Sequence, residues 1–256
     1  MFFLVTLKII LILTHQNQRA IAHLFHSASP KNRYYAWFQA LHTRVDLLLQ
    51  AQLSESEFEA AEAAVRAELH AVEKTGNRFD PNSELSRAVQ AATVRPVSIS
   101  SELFALLSRC LQAHRDTDGL FDITVNTPRF RPGLINAVEL SQDSLFIHCA
   151  DLILDLSGIL KGYALERLRN LLPSFGINDA LINLGNSSIL SLGENPSDIP
   201  SGECLTTSGN ATANRRHIIN PLTGQFITGQ RTISVVTPNA IDGEILSTTR
   251  FILSST

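Results

Sequence analysis

Between residues 54 and 74 one spacing repeats along the chain. Phe58, Ala61, Val65, Leu69 and Val72 recur every three or four positions, which places them on one face of a helix. Ser54 followed by Glu57 forms a capping-box pattern at its start, so the spacing predicts a helix to about Lys74. A second stripe, Leu103, Leu106, Leu107, Cys110 and Leu111, predicts a helix over about 100–114. Elsewhere the pattern is strand-like. Apolar and β-branched content from Val45 to Leu49 predicts a strand after a polar connector, HSASPKNRYY. The stretch around Phe121–Thr124 predicts a loop and strand, and NAVEL and SLFIHC predict two strands about a Ser-Gln-Asp-Ser turn. LILDL reads as a strand that breaks at Asp155 and passes through Ser-Gly into a helix ending near Pro173 and Gly176. ALINLG, LTTSGN, HIINPLTG and TISVVTP read as further strands, and GEILSTTRFIL as a final helix. This irregular alternation predicts an α+β fold, a single domain of mixed sheet packed with helices, over a doubly wound parallel sheet.

Composition narrows the function classes. The chain has 256 residues, 44% hydrophobic and 18% charged, with a net charge of -3. Scattered Lys and Arg give no basic surface, so no nucleic-acid partner is expected. Three cysteines, Cys110, Cys149 and Cys204, lie far apart without a C-x-x-C pair, which predicts simple burial over a disulfide framework or a zinc site. The N-terminal run MFFLVTLKIILIL is interrupted by Lys8 and falls short of the roughly 20 residues a spanning helix needs. Residues 1–30 therefore read as an apolar segment and connector, and residues 31–256 as the folded domain. Ala20-Ile21-Ala22 fits a signal-peptide cleavage site, but no charged residue precedes the apolar run. Export or membrane association through this segment and a cytoplasmic protein with an extended start both stay open.

Several polar residues sit where chemistry is plausible. Lys161 lies among glycines at the strand-to-helix junction DLSGILKGY, where backbone amides and a point charge suit a phosphate. The spacing fails a P-loop, since Gly158 precedes Lys161 by only three residues and Gly162 stands where Ser or Thr is needed. The plainer alternative is that Asp155 caps the helix and Lys161 is solvated. Glu244 and Thr248 are one helical turn apart, so a carboxylate and a hydroxyl can converge on one hard cation. Asp122 and Thr124 lie in an apolar context, and His217 opens HIINPLTG.

Taken in order, these segments resemble the FAD:protein FMN transferases, the ApbE family. ALHTRVDLLL is similar to that family's M-G-T strand, NRFDPNSELSR to S-x-Y-x-x-D-S-E-L-S-R, and GLFDITV to G-A-F-D-x-T-V. DLSGILKGYALE is similar to D-L-G-G-I-A-K-G-Y-A-x-D, and LINLGNSS to L-x-N-L-G-G-N. LTTSGN, HIINPLTG and the C-terminal helix resemble T-S-G, H-I-I-D-P-x-T-G and A-D-A-x-A-T. All eight occur collinearly between about residues 37 and 253.

The resemblance implies a Mg²⁺-dependent enzyme that takes FAD as substrate, moves its FMN half onto a Thr or Ser hydroxyl of an acceptor flavoprotein, and releases AMP. It implies cofactor-binding positions at Leu41, Phe79, Leu120, Phe121, Asp122, Asp155, Lys161 and Ile218. It implies metal ligands at the Gly158 carbonyl, Glu244 and Thr248, and His217 as the base that activates the attacking hydroxyl. An acceptor in a membrane redox complex, and a location on the outer face of the inner membrane, also follow by resemblance. Family members of another kind hydrolyse FAD to FMN and AMP.

The departures from the pattern bear on activity. Glu244 replaces Asp, Leu41 replaces Met, Phe79 replaces Tyr, Leu160 replaces Ala, Glu166 replaces Asp, and Asn186-Ser187 replaces Gly-Asn. Between Gly193 and Thr207 one family strand is expected to be missing, and the C-terminal continuation is absent. A catalytically impaired FAD-binding or scaffolding paralogue is the alternative these changes raise.

Overall fold

A computed structural model describes residues 23–25, 31–212 and 216–255. The apolar N-terminal segment considered above lies outside the described residues. No helix among the described residues is long and apolar enough to cross a membrane. The strands are β1 (His23–Phe25), β2 (Asn32–Ala40), β3 (Thr43–Ala51), β4 (Val97–Ser98), β5 (Val138–Ser141), β6 (Ser144–Ile147), β7 (Asp179–Leu184), β8 (Ser188–Leu192), β9 (Cys204–Asn210), β10 (Ile219–Asn220), β11 (Gln225–Phe226) and β12 (Arg231–Thr237). The helices are α1 (Glu55–Gly76), α2 (Glu84–Ala92), α3 (Ser101–Asp116), α4 (Ser157–Leu171) and α5 (Ala240–Leu253).

The main sheet runs β1-β2-β3-β7-β8-β9-β12, beside a three-stranded sheet β4-β6-β5 and the hairpin β10-β11. Pairing from β1 to β9 is antiparallel throughout, so the α+β expectation holds and the doubly wound alternative does not. Two compact units divide the chain: residues 1–70, 161–206 and 235–243, and residues 71–160, 207–234 and 244–256.

In the first unit β2 and β3 form a hairpin whose turn is Leu41-His42, both left-handed at φ 52° and 55°. Two such residues match the right-handed twist of the strands they join. The stretch read as a polar connector enters β2 instead, because its tyrosine rings are buried and their hydroxyls are satisfied. Tyr34 donates to Glu62 at 2.6 Å and Tyr35 to Asp46 at 2.6 Å. The shortened segment before β9 leaves no gap in the sheet, since Ile189 pairs with Leu205 directly. Cys204 and Cys110 are buried as expected. Burial pushes the Cys204 thiol up to about 12 and raises that of Cys110 as well, so neither is a thiolate near neutrality.

In the second unit α2 and α3 start on Ser83 and Ser100, whose hydroxyls accept from the Ser86 and Leu103 amides, as N-caps do. Phe251, Ile252, Leu120 and Ile227 form a buried cluster with Ile218 and Ile233 packed against it.

Candidate active site

Ten of the twelve sequence-derived site positions lie in the second unit: Phe79, Leu120, Phe121, Asp122, Asp155, Gly158, His217, Ile218, Glu244 and Thr248. Leu41 and Lys161 belong to the first.

The segments bearing Asp122 and Asp155 are not the expected strands. Residues 120–127 are turns, and residues 152–156 extend without pairing in a sheet. Buried irregular backbone must find partners outside a ladder, and these two carboxylates supply them. Asp122 Oδ1 accepts from the Thr124 amide at 2.7 Å and its hydroxyl at 2.6 Å, an Asx-type closure. Asp155 Oδ1 accepts from the Ser157 amide at 2.9 Å, and Asp155 Oδ2 accepts from Asn126 at 2.6 Å. Arg78 Nε lies 2.7 Å from the same Oδ2. The Asp155 amide in turn donates to the Ile123 carbonyl at 2.8 Å, tying the two segments together. Asp155 therefore caps α4, as the plainer reading held, and also pairs with the half-buried Arg78.

The other candidate positions of this unit make separate contacts. The Arg78 guanidinium lies 4.0 Å from the centre of the exposed Phe79 ring. A Cβ at Gly158 would lie 3.6 Å from the Phe121 ring, an ordinary contact distance, so the opening turn of α4 faces that ring. Leu120 and Ile218 share the buried cluster that carries Phe251 and Ile252 of α5. Asp122 also lines a cavity of about 230 Å³ with His114, Asp118, Gly119, Pro132, Gly133, Pro221 and Leu222. His114 Nδ1 sits 3.1 Å from the Phe121 carbonyl and 3.5 Å from Asp122 Oδ2. His217 is exposed and lies two residues before β10, whose hairpin register is fixed by the Ile227 amide donating to the Ile218 carbonyl at 2.9 Å.

On α5, Glu244 is buried and Thr248 half-buried one turn on. The Thr248 hydroxyl is 2.9 Å from that of Ser208. No group of three His, Cys, Asp or Glu side chains able to hold a metal occurs among the described residues. A cation here would need a mixed oxygen set of carboxylate, hydroxyl, carbonyl and substrate phosphate. Mg²⁺ accepts such sets, typically taking only one or two carboxylates, so these residues fit it.

In the first unit Lys161 is half-buried rather than solvated, and its Nζ donates to the Ser187 hydroxyl. Ser187 lies in the β7–β8 turn, where Gly185 and Asn186 both adopt positive φ. Asn186 tolerates that geometry and is pinned by Asn183, whose side chain accepts from its amide at 2.9 Å. Sequence reasoning singled out none of Arg78, Asn126, His114 and Ser208 as site residues. Arg78 and Ser208 carried a usable signal, since they lie inside NRFDPNSELSR and LTTSGN.

Comparison with known proteins bears on the whole arrangement. A curated FAD:protein FMN transferase of Klebsiella pneumoniae is 26% identical over 248 residues, covering 75% of this chain and 71% of that protein. The flavin transferase ApbE of Vibrio cholerae shares the fold at a TM-score of 0.74 and 19% identity, with 88% of each chain covered. The Thermotoga maritima ApbE protein gives a TM-score of 0.73 at 18% identity, again with 88% of each chain covered. The model of the ApbE family matches residues 41–129 and 134–256. That match runs through both compact units and includes all twelve site positions, and the chain belongs to the ApbE family.

Proposed function

We propose that the chain is a flavin transferase that moves the FMN half of FAD onto a Thr or Ser hydroxyl of an acceptor flavoprotein and releases AMP. One observation carries the reading: the second unit draws the Asp122 and Asp155 segments, Gly158 and Phe121 into one corner, in a chain of the ApbE family. The name of the Klebsiella relative supports flavin transfer from FAD to protein.

In this reaction the acceptor oxygen attacks the FMN phosphorus, the bond to the bridging oxygen of AMP breaks, and AMP leaves with that oxygen. His217, exposed two residues before β10, takes the acceptor proton, a role for which imidazole is suited. Glu244, Thr248 and the Gly158 carbonyl would hold Mg²⁺, which supplies charge stabilisation on the phosphate oxygens. Asp155 and Arg78 brace the start of α4, and Phe79, Leu120, Phe121 and Ile218 of the same unit offer apolar surface to the flavin and nucleotide. The 230 Å³ cavity beside Asp122 is below the range for drug-sized ligands, so it admits only a fragment of a dinucleotide. An acceptor in a membrane redox complex on the periplasmic side is the partner the family resemblance favours.

The test is a mass spectrum of a candidate acceptor after incubation with the chain, FAD and Mg²⁺. A mass increase equal to bound FMN, with AMP released, is expected. FMN appearing without any acceptor would instead establish hydrolysis. One observation favours a second reading, an impaired FAD-binding paralogue: Glu244 is buried, so its additional methylene cannot relax into solvent, and Mg²⁺ is strict about geometry. Under that reading Glu244→Asp creates metal-dependent turnover that the natural chain lacks.

A further inference from the structure

We propose that Ser208 is a positioning residue for the cation site, holding the Thr248 hydroxyl with its lone pairs turned toward the metal. This deepens the function proposed above and rests on it. Ser208 stands on β9, and its Oγ lies 2.8 Å from Ser247 Oγ and 2.9 Å from Thr248 Oγ1. All three hydroxyls are in the second unit. Ser247 is fully buried, so no water competes for its hydroxyl.

The proton directions follow from the end of the chain. Ser247 Oγ donates to the Glu244 carbonyl at 3.3 Å, and a carbonyl can only accept. Each hydroxyl has a single proton. Having given its own to that carbonyl, Ser247 meets Ser208 as an acceptor. Ser208 has then given its proton to Ser247 and meets Thr248 as an acceptor. In this assignment the Thr248 proton is aimed at Ser208, and its oxygen presents only lone pairs to whatever lies on its other side. A hard cation needs that presentation. The chain also ends on the backbone of Glu244, so it links the two α5 residues of the proposed ligand set. Binding a cation makes the Thr248 hydroxyl a stronger donor, which strengthens the bonds behind it.

Remove the Ser208 oxygen and the Thr248 hydroxyl loses its acceptor and turns freely. Groups that orient ligands in this way typically contribute tenfold to hundredfold in metal affinity. The experiment titrates MgCl₂ calorimetrically into the full chain held with FAD and no acceptor, for the natural protein, Ser208→Ala and Ser208→Thr. FAD affinity is measured separately in EDTA. Ser208→Ala is expected to weaken Mg²⁺ binding by about tenfold or more while FAD binding in EDTA is unchanged, and Ser208→Thr, which keeps a hydroxyl, is expected to bind Mg²⁺ nearly as the natural chain does. Equal Mg²⁺ affinity in the alanine variant overturns the proposal. Loss of FAD binding in EDTA overturns it too, by showing a general structural role, and so does a threonine variant as weak as alanine. A natural chain that binds no Mg²⁺ overturns it together with the metal assignment. A chain that binds Mg²⁺ as described yet transfers no flavin overturns only the function proposed above.

Discussion

The two units use buried polar groups in opposite ways. In the first, they close a regular fabric. Arg44 pairs with Asp46 at 2.7 Å and donates to the Tyr35 hydroxyl at 2.9 Å, all on the paired strands β2 and β3. Lys31 reaches Asp179 on β7 at 2.7 Å. In the second unit, Asp122 and Asp155 hold backbone that has no ladder. The sheet would keep its backbone bonds without its carboxylates, whereas the loops at residues 120–127 and 152–156 depend on theirs. Ten of the twelve candidate positions fall in the unit where side chains, and not strand pairing alone, determine the path of the chain.

The largest effect is therefore expected at Asp155. Asp155→Ala takes the acceptor from the Asn126 side chain and the Ser157 amide and the partner from the half-buried Arg78, and losing hydrogen bonds to a charged acceptor should cost about 3–5 kcal/mol together. Urea denaturation should show that loss, and FAD binding should fall with it. Replacing an acid of the sheet, as in Asp46→Asn, should cost less and leave FAD binding intact. A larger loss for Asp46→Asn than for Asp155→Ala would break the comparison.

The same contrast explains what could be read from the sequence. The α1 stripe from Phe58 to Val72 follows helical periodicity, and those residues are all fully buried. The strands at Asp179–Leu184 and Cys204–Asn210 fall on ALINLG and LTTSGN. The errors lie where side-chain bonds override pattern. Phe121–Thr124 and the LILDL run look apolar enough for strands, but Asx closure and the Asp155 network fold them as buried coil. β2 was hidden by its polar start, because nothing local shows that Glu62, far along the chain, satisfies Tyr34. The candidate site rests on motifs alone; Arg78 and Ser208 lie inside those motifs and Asn126 outside them, but the bonds all three make exist only in the folded chain.

A departure from the family pattern gives the next effect. Leu160 stands where the family has Ala, and a Cβ at Gly76 would lie 2.5 Å from its Cδ2. Glycine at the end of α1 thus makes room for the larger side chain. Leu160→Ala should cost about 3 kcal/mol as a buried truncation, and Gly76→Ala about 1–3 kcal/mol by overpacking. In the double variant the new methyl enters the space that Leu160 vacates, so the two costs should not add. Additive losses in urea melts would show that the two positions do not share that space.

Acid should sharpen the difference on the sheet side. Burial pushes the Asp179 carboxyl up, but hydrogen bonds from Lys31 and the Glu194 amide outweigh it and hold the group below its ordinary 3.8. A carboxyl held low in the folded state stabilises above its unfolded value and loses that contribution as pH falls through the folded one. The natural chain should therefore exceed Asp179→Asn in melting temperature at neutral pH, and the gap should close below about pH 4. A gap that persists at pH 2 would mean that ionisation of Asp179 does not matter to the sheet.

The smallest expected change is a gain, in the β2–β3 turn. His42 occupies the glycine position of the family's M-G-T and holds φ 55° beside Leu41 at 52°. Paired left-handed residues are normally glycine or asparagine, because a Cβ there crowds the backbone. Both residues hold the left-handed conformation without glycine, so strain should be stored in the turn. His42→Gly relieves it at the cost of a more flexible unfolded chain, leaving a net gain of about 0.5–1 kcal/mol. A rise of a few degrees in melting temperature with unchanged FAD binding is expected. A fall instead would show that the imidazole contributes more to the folded state than its backbone conformation costs.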